Sequence, residues 1–177
     1  MAVLEKIFSL FAHPPAADEA IAPAPEPVYE ILPLTVKQLK EVWQLNQRCF
    51  KKGEHYPRQT FAFLLSEPNT LSYRAVTPSE EVVGFIFITV TEDRMAHVTT
   101  VGTAPEHRRR GIARRLLQHA EQALRIRHVS TICLEVRVSN TGAQTLYRDL
   151  GYATTQRLTK YYNNGEDGYL MVKSLFQ

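Results

Sequence analysis

The chain has 177 residues, 44% of them apolar and 22% charged, with two cysteines and a formal charge of +3. That length fits one ordinary domain with a real core, and the composition excludes a collagen-like or wholly disordered chain. Cys49 and Cys133 are too few for a disulfide framework and lack metal-ligand spacing, so a reducing, cytoplasmic setting is expected and no metal is implied. The charge is uneven: Glu106 to His128 holds seven Arg and two Glu, a local +5 that leaves −2 for the remainder. Such a local patch calls for an anionic group nearby.

In chain order, Met1 to Ala12 carries Glu5 and Lys6 inside its apolar stretch, which leaves too short a run for a signal core or a membrane span. Residues 3–12 can form an amphipathic turn or two, but they lack the basic face of a membrane-surface helix. Pro14 to Pro27 holds five of the ten prolines and five alanines, a linker composition that cannot build a core. The reading is a flexible tail over residues 1–28 and one domain over 29–177.

Within that domain, residues 28–34 read as a strand. Val36 to Phe50 reads as a helix with Leu39, Val42, Trp43, Leu45 and Cys49 on one side, and Pro57 to Leu65 as a second helix. Strand-like runs at Thr70 to Val76, Val82 to Val90 and Met95 to Thr103, separated by polar turns, make an antiparallel meander. From Ile112 the period becomes helical up to about Arg127, and Thr131 to Arg137 then alternates as a strand. A strand, a crossover helix and a strand favour parallel pairing, so 95–103 and 130–137 are expected to be parallel neighbours. Asn140 to Leu150 reads as a helix ended by Gly151, and strands at Tyr152 to Leu158 and Gly168 to Leu175 complete a mixed sheet.

The segment from Val101 to Leu117 puts a strand end, a basic loop and a helix start in succession. Backbone N–H groups at a helix start attract anions, and Gly111 lets a phosphate approach the main chain. Neither a Walker loop nor a G-x-G-x-x-G fingerprint is present. Taken alone, Arg108-Arg-Arg-Gly111 is a weak motif and reads first as a solvated, Arg-rich helix start.

Three further segments accompany it: Leu134-Glu-Val-Arg-Val-Ser-Asn140, Leu146-Tyr-Arg-Asp-Leu-Gly-Tyr152 and Tyr161-Tyr-Asn-Asn-Gly-Glu-Asp-Gly-Tyr-Leu-Met171. Together with the loop Arg108-Arg-Arg-Gly-Ile-Ala113, the series resembles the GNAT N-acetyltransferase superfamily, and within it the ribosomal-protein-alanine (RimI-like) type of N-terminal acetyltransferase. The resemblance is dense over 97–173 and looser over 29–96. It implies an α/β GNAT fold, a mixed and mostly antiparallel central sheet with helices on both faces. It also implies acetyl-CoA as cosubstrate and a protein N-terminus as acceptor, possibly that of a ribosomal protein, with the enzyme acting as a monomer.

Carried over by position, the resemblance places the pantetheine arm on the backbone of Val101, Gly102 and Thr103. The pyrophosphate falls on Arg109, Arg110, Gly111, Ile112, Ala113 and Arg114, and a further cofactor contact on Asn140, which by pattern alone is also a helix cap. Glu135 matches the general base and Tyr147 the acid that protonates the leaving thiolate; read without the resemblance, they are a solvated strand carboxylate and a core aromatic. Tyr161 and Tyr162 match residues lining the peptide groove, or are ordinary strand aromatics. Gly142 and Gly168 depart from the family pattern. The histidines at 55, 97, 107, 119 and 128 show no paired spacing and read as surface residues. An α-amino group with pKa near 8 is about 10% neutral at pH 7, against less than about 0.1% for a Lys side chain, so an N-terminal acceptor needs only modest help. Lysine or small-amine acetylation, nucleic-acid binding through the Arg run and inactive CoA binding are the competing readings.

Overall fold

The computed structural model describes residues 28–50 and 55–176. The amphipathic segment expected at 3–12 and the linker at 14–27 lie outside the described residues. Strand β1 (Glu30–Pro33) enters a short 3-10 turn whose start is fixed by a capping box between Thr35 and Gln38. Helix α1 (Leu39–Cys49) therefore begins three residues later than its hydrophobic period suggests, because the box caps the tighter turn first. Helix α2 (Arg58–Ser66) follows, then the meander β2 (Thr70–Val76), β3 (Val82–Val90) and β4 (Met95–Thr103). Helix α3 (Ile112–Ile126), β5 (Thr131–Arg137), α4 (Thr141–Asp149), β6 (Ala153–Leu158) and β7 (Gly168–Ser174) complete the chain.

The seven strands form one sheet in the order β1-β2-β3-β4-β5-β7-β6. Neighbours are antiparallel except β4 and β5, which are parallel across the α3 crossover, as expected. Helices cover both faces, and β3 shows how. A Cβ on Gly84 would come within 2.7 Å of Ile112 of α3, whereas its neighbour Phe85 packs on Phe61 of α2, ring centroids 5.9 Å apart. Alternation from Gly84 onward thus sends Gly84, Ile86 and Ile88 to the α3 side, and Phe85 and Phe87 to the side of α1 and α2. Phe61 is fully buried against Phe85 and Phe87, so truncating it to Ala should cost about 3–5 kcal/mol.

One charge lies deep in this architecture. Glu121 of α3 is buried and accepts from Lys173 of β7 at 2.5 Å. Removing Lys173 would leave the buried carboxylate only Arg125, 3.9 Å away, and should cost a few kcal/mol, roughly up to 3. Among the described residues, no helix is long and apolar enough to cross a membrane.

Candidate active site

The site is made by a defect in the sheet. In the β3–β4 ladder Phe87 opposes Thr100 and Ile88 opposes Val98, so Thr99 is an extra residue on β4. Such a bulge bends its strand and sharpens the local twist. The β4–β5 ladder accordingly holds only Met95, Ala96 and His97 against Thr131, Ile132 and Cys133, while β5 stays paired to β7 as far as Arg137. Beyond His97 the two parallel strands part, and the β5-facing backbone groups of β4 from Val98 to Thr103 have no ladder partner. A cleft of about 1550 Å³ opens there. Gly102 lies on its wall, and a Cβ there would stand 2.7 Å from the Phe85 ring and 3.2 Å from Cys49 Sγ, so glycine lets α1 press close beneath the strand.

At one end of the cleft, Arg109 and Gly111 both adopt left-handed backbone, φ +63° and +75°, and turn the chain into α3. Gly111 is the N-cap and offers no side-chain cap; the first helical bond runs from Arg115 N to Gly111 O. The N–H groups of residues 111–114 therefore have no acceptor among the described residues, and they sit where the helix dipole is positive. The arginines divide the work. Arg108 donates to Cys49 O at 3.1 Å, Arg110 to the Tyr29 hydroxyl at 3.4 Å, Arg115 to Tyr29 O at 3.2 Å, and Arg114 pairs with Asp149 at 3.0 Å. Arg109 alone in this run has no partner among the described residues, and it lines the cleft.

At the other end, His97 Nε2 lies 2.7 Å from Glu135 Oε2, with Glu135 at 20% side-chain exposure. Tyr56, Tyr161 and Tyr162 stand around this pair. Burial first, and then the Glu135 carboxylate, push the phenols of Tyr56 and Tyr161 up from their ordinary values. Tyr162 lies under the Arg137 guanidinium, 3.8 Å from the ring centroid, and meets Tyr161 edge-on. Arg137 is itself held by Glu166 at 2.8 Å. Hydrogen bonds from Ser139, then the Arg137 charge, lower the Glu166 carboxyl to about 2. Gly168 opposite Arg137 leaves room for the two tyrosines, since a methyl there would stand 3.3 Å from Tyr162.

Between the two ends stands Tyr147 of α4, 7% exposed, on the cleft wall. Its helix is positioned by Asn140, whose Oδ1 caps Ala143 N at 3.1 Å, and by buried Gln144, which donates to the carbonyls of Arg137 and Val138 at 2.9 Å. Burial raises the Tyr147 phenol to about 12.

The candidates from the sequence are thus brought together: Val101, Gly102, Thr103, Arg109, Gly111, Ile112, Ala113, Arg114, Glu135, Asn140, Tyr147, Tyr161 and Tyr162 all line one cleft. Arg110 does not, because its side chain leaves the loop for Tyr29. The cap reading of Asn140 holds, which leaves its Nδ2 for any ligand. The sequence reading missed the cleft roles of His97 and Tyr56. His97 was placed with the surface histidines but binds Glu135, and Tyr56 precedes α2, its carbonyl accepting from buried Asn46 at 3.2 Å. The alternation of β4 could have put His97 on the Glu135 side; nothing local marks Tyr56.

Residues 39–152 match the model of the acetyltransferase (GNAT) family. The chain belongs to the GNAT family. It is 30% identical over 159 residues to an N-alpha-acetyltransferase of Sulfurisphaera tokodaii, covering 83% of this chain and 93% of that one. The [ribosomal protein bS18]-alanine N-acetyltransferase of Salmonella typhimurium is 29% identical over 78% of this chain and 92% of its own. Among solved structures, the ribosomal-protein-S18-alanine N-acetyltransferase of Escherichia coli superposes with a TM-score of 0.77 at 26% identity, covering 85% of this chain and 96% of that one. In this GNAT chain the parted strands, the uncapped α3 and the His97–Glu135 pair share a single cleft. Among the described residues, no cluster of three metal-ligating side chains accompanies them.

Proposed function

We propose that this chain is an acetyl-CoA-dependent N-terminal acetyltransferase, transferring an acetyl group to the α-amino group of a protein, with a ribosomal protein as the acceptor its bS18-acetylating relative suggests. The observation that carries the reading is the cleft running unbroken from the α3 N-terminus to the His97–Glu135 pair.

The chain's own groups suit that cosubstrate. The N–H groups of residues 111–114 and the Arg109 guanidinium would take the pyrophosphate, and the unpaired edge of β4 at Val101, Gly102 and Thr103 would pair with the amide-bearing arm. When bound, acetyl-CoA supplies an already activated acyl group, so the protein has chiefly to orient an amine and move two protons. Glu135 accepts the amine's proton, directly or through one water, and His97 on its Oε2 shares that proton. Tyr147, kept protonated by its burial, donates to the departing sulfur. A β4 N–H in the Val101 to Thr103 stretch is placed to stabilise the developing oxyanion, a donor that needs no reorganisation. Tyr56, Tyr161 and Tyr162 form the walls through which an extended peptide N-terminus would enter, which favours a chain end over a bulky small amine.

A peptide-array acetylation assay with acetyl-CoA tests the reading. Free α-amino peptides should be acetylated, and N-terminally blocked peptides carrying an internal Lys should not. Equal labelling of both sets would shift the assignment to a lysine acetyltransferase.

A further inference from the structure

We infer that Tyr29 is a positioning residue for the cosubstrate-phosphate loop, acting through Arg110 and His107; the inference rests on the acetyl-CoA reading of the cleft and adds to it a residue nearly eighty positions away in sequence.

Tyr29 precedes β1 and is 6% exposed. Its hydroxyl lies 3.0 Å from His107 Nδ1 and accepts from Arg110 at 3.4 Å, and its ring meets the His107 ring edge-on with centroids 5.8 Å apart. Because the oxygen accepts from a guanidinium, its own proton is available for the imidazole nitrogen, so one hydroxyl ties two points of the loop. Those points bracket the critical turn. His107 ends the 3-10 turn after β4, and Arg110 lies between the left-handed residues Arg109 and Gly111. A left-handed Arg is strained and persists only where its surroundings determine it. The loop must hold that shape for the N–H groups of residues 111–114 to converge on one anion, and Arg109 must face the cleft while Arg110 faces away. The Tyr29 hydroxyl fixes the second of these directions and thereby the first.

The backbone of Tyr29 is anchored separately, by Arg115 on its carbonyl at 3.2 Å. Tyr29→Phe therefore keeps the ring, the burial and the strand start, and removes only the two bonds to the loop. A hydrogen bond to a charged group contributes enough that losing it should weaken acetyl-CoA binding about tenfold.

The test measures acetyl-CoA Kd by calorimetry, and kcat and both KM values by steady-state kinetics, for wild type, Tyr29→Phe, Arg110→Met and the double variant. The expected result is a Kd and a KM for acetyl-CoA raised about tenfold in Tyr29→Phe, with kcat and the peptide KM little changed. Arg110→Met should weaken acetyl-CoA in the same direction, and the double variant should add little to it, since the two residues act through one bond. Wild-type acetyl-CoA affinity in Tyr29→Phe, or losses that simply multiply in the double variant, would overturn the assignment of Tyr29 alone. Wild-type protein that fails to bind acetyl-CoA would overturn the reading of the cleft, and this inference with it.

Discussion

His97 Nε2 and Glu135 Oε2 lie 2.7 Å apart and bridge β4 and β5 just past the last rung of their ladder. His97 is the final β4 residue paired to β5, and Glu135 stands two residues beyond its partner Cys133 on the same face. The pair thus marks the point where the strands part, where an amine and an acyl group can meet. Glu135→Gln should lower kcat by about 10² to 10⁴ at pH 7 and recover as pH rises toward the amine's own pKa near 8. His97→Ala should lower kcat less, and the double variant should be no worse than Glu135→Gln. Steady-state kinetics from about pH 6 to 9.5 would check this; additive losses would show that the two side chains act apart.

Tyr147→Phe separates packing from chemistry, since it keeps the buried ring and removes the hydroxyl. A fall in kcat of about 10² to 10⁴ with an unchanged melting temperature is expected. Because burial holds the phenol at about 12, it stays protonated throughout the working range. The wild-type rate should therefore show no alkaline loss from this group below about pH 11. Wild-type turnover in Tyr147→Phe would remove it from the mechanism.

Gly111 is left-handed, and a Cβ there would have no neighbour within 4 Å among the described residues. Substitution therefore threatens the ligand and the backbone, not the packing. Gly111→Ala should cost about 1 kcal/mol of stability through its φ. Gly111→Val should abolish the thermal stabilisation given by excess acetyl-CoA, about 2.7 kcal/mol at a hundredfold excess over Kd. A differential scanning experiment with and without acetyl-CoA reads both effects, and an undiminished ligand shift in Gly111→Val would place the phosphates elsewhere.

Glu166 ties Arg137 and Ser139 together beside the tyrosines, and its carboxyl falls from the ordinary 4.5 to about 2. A depressed pKa means that the fold favours the charged form. The stabilisation is therefore present above about pH 4.5 and lost as pH falls toward 2. Urea unfolding of Glu166→Gln at a series of pH values should show a shallower acid loss than wild type across that window. Parallel curves would mean that the bonds from Ser139 and Arg137 add nothing to stability.

Removal of residues 1–27 should leave turnover and acetyl-CoA affinity intact, whereas removal through Tyr29 should weaken acetyl-CoA binding. Kinetics on the two truncated proteins compare them directly, and a loss already present at 1–27 would place working contacts in that segment.

The sequence by itself determined the order of the elements, the parallel β4–β5 pair and the basic loop that opens α3, because these follow from local period and turn chemistry. Ile112, Leu116, Leu117, Ala120 and Leu124 recur on one helical face, and Gly111 must precede them in a conformation that a side chain resists. Glu135 and Tyr147 were legible through resemblance, since alternation along β5 and the apolar face of α4 leave each with an ordinary alternative. What only the tertiary structure decided is which side chains face one another. The parallel register of β4 on β5, with His97 opposite Cys133, brings His97 to Glu135, and no local pattern records how one strand is aligned on its neighbour. The run Arg108 to Arg115 reads as one cationic patch along the chain. In the fold four of those guanidiniums are bound to Cys49, Tyr29 and Asp149, and Arg109 faces the cleft, because their acceptors come from segments 35 to 86 residues away.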